Sequence, residues 1–192
     1  MRDLAILTFV TLDGVMQAPS MPEEDRSGGF KGGGWAAPYW PGVMEQVQAE
    51  AMATPYDMLF GRKTYDLFAG HWPNLEGDPV AEMMNAARKY VVTSTPTGLD
   101  WHNTEAINGD VAQKISELKH RTGPILQVHG SSQLIQILLA RDLIDEFRLW
   151  TFPVIVGTGK RLFGDPLDHT ELKLVKAAAN QNGVVMSIYR RR

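Results

Sequence analysis

Apolar residues along this chain follow two different spacings, and the changes of spacing predict alternating strands and helices. Residues 4–12, LAILTFVTL, form a continuous apolar run that is too short for a typical helix, so we expect a strand covered on both faces. Residues 39–53 have apolar side chains at helical intervals, which predicts an amphipathic helix. Between these elements, residues 13–38 lack periodicity and are expected to form a long loop.

The rest of the chain repeats this alternation and ends in a hairpin signal. Two alternating stretches within 171–191 flank Asn182 and Gly183, a residue pair that favours a tight hairpin turn. The order therefore predicts an α/β sandwich with a mixed sheet and a C-terminal antiparallel hairpin. The intervening predictions, in chain order, are a strand at 57–60, helices at 62–68 and 80–88, a strand at 89–96, a helix between Asp110 and Gly123, a strand and then a helix within 124–143, and a strand within 144–157.

Composition narrows the class of protein. A chain of 192 residues with 44% apolar residues can bury one substantial core, so a single domain over 1–192 is expected. The formal charge of -3 provides no broad cationic face, which argues against nucleic acid and membranes as partners. Cysteine is absent, and the five histidines lack metal-ligand spacing, so no metal site is expected. No signal peptide or long apolar span is found, which favours a cytoplasmic protein.

Three predicted strands end in residues suited to binding an anion. These ends are FGRKT at 60–64, VTST at 92–95 and HGSSQ at 129–133. In open α/β sheets, ligands bind at the carboxyl ends of the strands, where helix N-termini offer free N–H groups. Each motif alone is more often a helix cap or a tight turn, but three on one sheet favour a dinucleotide site.

The common nucleotide fingerprints are absent. GTGKRLFG at 157–164 lacks the third glycine of the Rossmann pattern, and no P-loop motif occurs. A dinucleotide site in this chain therefore requires a different fold.

Six motifs, in chain order, resemble the dihydrofolate reductase fold: TLDGVMQAP, FGRKTYDLF, the dipeptide WP, VVTSTP, VHGSSQLIQILL, and LIDEFRLWTFPVIVGTGKRLF. The resemblance is to the branch that includes the C-terminal reductase domain of bacterial riboflavin-biosynthesis enzymes. It implies a three-layer α/β/α sandwich with a mixed, mostly parallel eight-stranded sheet, and NADPH as the hydride donor. The single glycine followed by serine at 130–131 is typical of that branch, whereas folate reductases have two glycines here.

The resemblance also implies functions for individual residues. A reductase similar to 5-amino-6-(5-phosphoribosylamino)uracil reductase is implied; the alternatives are a dihydrofolate or pterin reductase and a non-catalytic NADPH-binding protein. The implied cofactor contacts are Thr11, Asp13 and Gly14 near the nicotinamide; Gly61, Arg62, Lys63 and Thr64 at the pyrophosphate and 2'-phosphate; Ser94 and Thr95 at the 2'-phosphate; and Gly130, Ser131, Ser132 and Gln133 at the pyrophosphate.

A proton donor is the least defined part of the site. Glu45 has a position similar to that of the single carboxylate of folate reductases, with Glu50 and Glu24 as competitors. The simpler interpretation of Glu45 is a solvated residue near the positive end of its helix. An acid working near neutral pH would need burial to raise its pKa, and sequence does not show burial.

Two further expectations concern the long loop and the assembly. The glycine-rich residues 27–34 would form a lid. The aromatic residues Trp35, Tyr39 and Trp40 would either stack on a flat heterocycle or anchor the end of the loop to the core. The resemblance also implies a homodimer, formed through an exposed apolar strand at 147–155.

Overall fold

The computed structural model describes residues 1–164 and 169–192. All eight strands of this part of the chain pair into one sheet, in the order β4-β3-β2-β5-β1-β6-β8-β7. The strands are β1 (Leu4–Thr11), β2 (Tyr56–Gly61), β3 (Lys89–Val92), β4 (Thr104–Ile107), β5 (Ile125–His129), β6 (Glu146–Phe152), β7 (Leu172–Ala179) and β8 (Val185–Arg191).

Helices lie in four of the connections: β1 to β2, β2 to β3, β4 to β5, and β5 to β6. They are α1 (Met44–Met52), α2 (Arg62–Ala69), α3 (Pro79–Ala86), α4 (Val111–His120) and α5 (Ser132–Ala140), with short 3₁₀ helices at Ser27–Gly29, Ala37–Tyr39 and Trp72–Asn74. None of the helices in the described part of the chain is both long and apolar enough to cross a bilayer.

Strand β1 shows why the fold has three layers. Its side chains alternate between the two faces of the sheet, and both faces are covered. Ile6 packs in one cluster with Ile115 of α4 and Ile135 of α5, whereas Leu7 packs in another with Val47 of α1. The apolar run predicted to be a doubly covered strand is therefore confirmed, as is the sandwich architecture.

The sheet is mixed, as predicted. Strands β1 to β6 pair in parallel, and β8 pairs antiparallel with both β6 and β7. The predicted hairpin turn is present: the side-chain oxygen of Asn180 accepts hydrogen bonds from the N–H groups of Asn182 and Val184. Gly183 has a φ of 79°, the conformation that glycine adopts most easily.

Strand β4 was not anticipated from the sequence. Its four residues are mostly half-buried or exposed, and only Ile107 is buried. A short edge strand of this kind has too little apolar periodicity to stand out. It forms because β3 offers a free edge to its backbone, in parallel register from Lys89 with Thr104 onward.

The expectation of an exposed apolar strand at 147–155 is wrong. Strand β6 lies inside the sheet between β1 and β8, and all but one of its seven residues are buried. Its hydrophobic side chains fill the core of the chain itself. The edge strands are β4 and β7, and β7 leaves Leu174 and Val175 accessible.

Candidate functional site

A cavity of about 1460 Å³ opens at the carboxyl ends of the parallel strands. Leu7, Thr8 and Phe9 of β1, Gly61 of β2 and His129 of β5 contribute to its wall. Pockets for one small ligand usually occupy roughly 300 to 1,000 Å³. This cavity therefore has room for a dinucleotide and a second small molecule.

Two helices begin at the cavity with their first N–H groups uncapped. The residues that precede α2 and α5 are Gly61 and Ser131, and neither makes a side-chain capping hydrogen bond. Helices α3 and α4 differ, because the carboxylates of Asp78 and Asp110 accept hydrogen bonds from their first-turn N–H groups. The N-termini of α2 and α5 are thus suited to accept an anion from outside the chain.

The three strand-end motifs meet at this cavity, as their place on one sheet predicts. The predicted cofactor residues that line it are Gly61, Arg62, Lys63, Thr64, Ser94, Thr95, Gly130, Ser131, Ser132 and Gln133.

The basic residues of the first motif are already engaged by neighbouring groups. Arg62 donates through Nε to Asp66 over 2.8 Å and through Nη1 to the carbonyls of Thr95 and Thr97, both at 2.9 Å. Arg62 therefore fixes the loop after β3 against α2. Lys63 is exposed and lies 3.6 Å from Asp25 of the long loop.

The predicted nicotinamide residues Thr11, Asp13 and Gly14 do not line the cavity. Asp13 accepts hydrogen bonds from the hydroxyl of Thr11 and from the backbone N–H groups of Val156 and Gly157. These bonds, led by that from Thr11, lower the pKa of Asp13 to about 2. The carboxylate thus fastens the turn after β1 to residues 156–157, while Leu7, Thr8 and Phe9 occupy the cavity wall instead.

Glu45 also lies outside the cavity lining. Met44, Val47 and Gln48 face the cavity from α1, and the 3.6-residue period turns Glu45 to the exposed face of the helix. Of its two competitors, Glu50 forms an ion pair with Lys176, outside the cavity lining. Glu24, on the long loop, does line the cavity.

The aromatic residues near the end of the loop divide between the two interpretations. Trp35 is buried, donates from Nε1 to the carbonyl of Gln17 over 2.8 Å, and packs edge-on against Phe152. Tyr39 also packs against Phe152. Trp35 and Tyr39 therefore anchor the end of the loop to the core. Trp40 also packs against Phe152, but it lines the cavity as well.

The expected lid at 27–34 is only partly fastened to the core, because Ser27, Gly28, Gly29 and Lys31 are exposed. Phe30 is buried, and the N–H of Gly34 bonds to the carbonyl of Ala18. The loop residues that line the cavity are Met16 to Met21, Glu24, Asp25 and Ser27. The part of the loop that contacts the cavity therefore lies mostly before the glycine-rich residues 27–34.

Lys160 is a cavity residue that sequence reasoning missed. It forms an ion pair with Asp25 over 2.5 Å, and its backbone N–H donates to the side chain of Gln17. Lys160 belongs to GTGKRLFG, a glycine-rich basic motif that does not match the Rossmann fingerprint but could have indicated a cation near the site. The motif instead holds the long loop in place and brings a cation to the cavity.

His129 is both a buried strand residue and part of the cavity wall. Burial, assisted by the nearby Arg148 cation, lowers the pKa of His129 to about 4. Its Nε2 lies 3.0 Å from the side-chain amide of Gln127, whose oxygen accepts from Arg148 over 2.9 Å. At neutral pH this imidazole is therefore uncharged and held by a buried polar network.

Comparison with known proteins identifies the family. The model of the family described as RibD C-terminal domain matches residues 3–186. This chain belongs to the RibD C-terminal domain family. The uncharacterized Bacillus subtilis (strain 168) protein YyaP is 33% identical to it over 137 residues, 69% of this chain and 72% of YyaP. YwjB of the same organism is 29% identical over 85 residues, 44% of this chain and 49% of YwjB.

Solved structures share the fold of this RibD C-terminal domain at low identity. A putative riboflavin biosynthesis protein from Shewanella sp. PV-4 has a TM-score of 0.63 and 19% identity, covering 100% of this chain and 99% of its own. Dihydrofolate reductase from Enterococcus faecalis, complexed with NADP(H) and RAB-propyl, has a TM-score of 0.65 and 13% identity, covering 99% and 96%. A pyrimidine reductase-like protein from Corynebacterium diphtheriae has a TM-score of 0.64 and 12% identity, covering 100% and 92%. The fold is therefore dihydrofolate reductase-like, and the family supports a reductase-like function.

Proposed function

We propose that this RibD C-terminal domain is an NADPH-dependent reductase. The observation that carries the proposal is the convergence of two uncapped helix N-termini, those of α2 and α5, on one cavity at the carboxyl ends of the strands. Helix N-termini attract anions through free N–H groups and a partial positive charge. The pyrophosphate of a dinucleotide is an anion of the size that two such termini can hold together.

The residues around the cavity fit the phosphates of NADPH. Gly61 and Gly130 leave room for the pyrophosphate, and the hydroxyls of Thr64 and Ser132 lie on the same wall. Arg62 and Lys63 supply cations for the 2'-phosphate, next to Ser94 and Thr95, which offer hydroxyl donors. Because NADH lacks the 2'-phosphate, this arrangement favours NADPH.

In the proposed reaction, the protein aligns the cofactor with the substrate and excludes water. The nicotinamide, when bound, would supply a hydride. The apolar wall formed by Leu7, Phe9, Trp40 and Val47 would hold a flat heterocycle close by and keep water out. Thr11, Asp13 and Gly14 would support this region from behind through their contacts with the loop.

The proposed substrate is a small nitrogen heterocycle or a related carbonyl compound, similar to the substrate of 5-amino-6-(5-phosphoribosylamino)uracil reductase. Family membership favours this class over folate. Dihydrofolate or pterin reduction is the second candidate, because the Enterococcus faecalis structure of the same fold is a dihydrofolate reductase. A non-catalytic NADPH-binding protein is the third.

Two measurements on the purified protein test the proposal. Isothermal titration calorimetry should show saturable binding of NADPH, tighter than that of NADH. NADPH oxidation, followed at 340 nm, should be stimulated by a ribosylaminopyrimidine, dihydrofolate, a pterin or a member of a carbonyl panel. Binding without turnover on any of these would favour the non-catalytic protein, and absence of binding would refute the cofactor.

The remaining expectations stay predictions: one domain over 1–192, a cytoplasmic location and a homodimer. Strand β6 no longer supports the homodimer, because it is internal. Sedimentation velocity at several concentrations would measure the oligomeric state.

A further inference from the structure

Three carboxylates line the cavity in the described part of the chain: Glu24, Asp25 and Asp66. Asp66 is paired with Arg62, and Asp25 is paired with both Lys160 and Lys63. The hydrogen bonds and charge that Asp25 receives outweigh its burial and lower its pKa. The Asp25 carboxyl is therefore ionised at neutral pH, and both Asp25 and Asp66 hold cations of the cavity in place.

Glu24 differs from the other two carboxylates because no Lys, Arg or His within the described residues forms an ion pair with it. Its Oε2 accepts hydrogen bonds from the backbone N–H groups of Ser20 at 2.7 Å and Met21 at 3.3 Å. These bonds fix the side chain against the cavity wall, where Ser20 and Met21 also lie.

The surroundings of Glu24 favour the protonated carboxyl. Burial raises the pKa of Glu24, and the nearby Asp25 carboxylate raises it further. The backbone N–H groups of Ser20 and Met21 and the Ser20 side chain offset only part of this rise. The other charged or titratable groups that line the cavity are Arg62, Lys63, Asp66, His71, His129 and Lys160. Arg62, Lys63 and Lys160 are each paired with Asp66 or Asp25, and His129 is neutral because its pKa is lowered to about 4.

We propose that Glu24, and not Glu45, is the proton donor to the substrate in this cavity. The inference rests on the proposed reductase function. A bound NADPH would supply a hydride to the electrophilic carbon of a C=N or C=O bond, and the electron pair of that bond would move to the nitrogen or oxygen. That atom takes the proton of the Glu24 carboxyl, which becomes a carboxylate and regains a proton from solvent through the cavity mouth. Each turnover thus consumes one NADPH and one proton.

Glu24→Gln is the central variant, because glutamine keeps the shape and the oxygen acceptor but has no transferable proton. Glu23→Gln is the matched control: Glu23 is the adjacent residue, two-thirds exposed, paired with Arg26 and outside the cavity lining. Glu45→Gln tests the rival. NADPH dissociation constants are measured for each variant, so that loss of cofactor binding is separated from loss of proton transfer.

A first readout needs neither cofactor nor substrate. In protein labelled with ¹³C at glutamate carboxyl carbons, one resonance should titrate at higher pH than those of exposed glutamates. It should disappear in Glu24→Gln and persist in Glu23→Gln and Glu45→Gln. If the Glu24 resonance titrates with the exposed group, the assignment is overturned.

The second readout is turnover with whichever compound of the panel the wild type reduces. Glu24→Gln should lower the rate of NADPH oxidation at least about 100-fold, as loss of a general acid typically does, and leave NADPH binding intact. The fall in wild-type rate with rising pH should disappear in this variant. Full activity of Glu24→Gln, or a matching loss in Glu45→Gln alone, overturns the assignment but leaves the reductase standing. A wild type without turnover on the whole panel overturns both.

Discussion

The hydroxyl oxygen of Ser131 accepts a hydrogen bond from the backbone N–H of Gly61 over 2.9 Å. This bond joins the end of β2 to the end of β5, and it lies between the N-termini of α2 and α5. Ser131 adopts a left-handed conformation, with φ 63° and ψ 58°, that turns its side chain toward Gly61. Its hydroxyl hydrogen is within reach of Thr64 Oγ1 at 3.0 Å and the His129 carbonyl at 3.1 Å.

Ser131→Ala should lower both stability and NADPH affinity. The Gly61 N–H loses its partner, which costs about 1 kcal/mol of unfolding free energy, and the two helix N-termini lose the bond that sets their spacing. Urea denaturation and calorimetry measure the two effects. Ser132→Ala is the control: Ser132 lines the cavity as the first residue of α5, and the bond to Gly61 comes from Ser131, so this variant should lose affinity alone. Equal stability losses in both variants would contradict the linking function of Ser131.

Arg62→Ala should weaken NADPH binding much more than NADH binding. Loss of a charged hydrogen-bonding partner for the 2'-phosphate costs about 1.5 to 3 kcal/mol, or roughly 10- to 100-fold in dissociation constant. Because Arg62 also holds the carbonyls of Thr95 and Thr97, some loss for NADH is expected too. Asp66→Asn, which keeps the cation, should preserve the ratio of the two affinities. Equal losses for both coenzymes in Arg62→Ala would rule out a contact with the 2'-phosphate.

Gly33→Ala should destabilise the long loop. A Cβ at this position would lie 2.8 Å from the carbonyl oxygen of Pro22 and 2.9 Å from that of Met21, so the backbone that carries Glu24 would have to move. Overpacking of this kind typically costs about 1 to 3 kcal/mol. Urea denaturation and limited proteolysis should detect it. Gly70→Ala, where the Cβ meets its nearest atom at 3.4 Å, is the control. Unchanged stability in Gly33→Ala would show that the contact with Pro22 is easily relaxed.

His129 should make the protein less stable in acid. Because its pKa is lowered to about 4 in the folded state, the unfolded chain binds more protons between about pH 6.5 and pH 4. Stability should therefore fall as the pH drops through this range, by about 3 kcal/mol in total from this residue. His129→Asn should remove that part of the pH dependence in urea denaturation, whereas replacing the exposed His102 by Asn should not. The same slope in wild type and His129→Asn would exclude this origin.

Much of the architecture follows from local sequence patterns. The spacing of the apolar residues predicted the helices and most of the strands. Each element must bury one face, and the apolar spacing differs between a helix and a strand, so it shows which of the two forms. The strand-end motifs FGRKT and HGSSQ indicated a common rim, because parallel strands place their carboxyl ends together. Strand β4 could not be predicted in this way. Its pairing with β3 depends on the free backbone edge of β3, and that dependence produces no apolar pattern in the sequence.

The sequence by itself determined the element types, the hairpin at Asn182 and Gly183, and the motifs that surround the cavity. Only the tertiary structure decided which acid faces that cavity. The sequence favoured Glu45 over its competitor Glu24, but the helical register turns Glu45 outward, while a folded loop brings Glu24 to the cavity. The position of β6 inside the sheet and the Ser131–Gly61 bond were decided in the same way. The physical reason is that such contacts join residues far apart in the chain, and local periodicity carries no information about their separation in space.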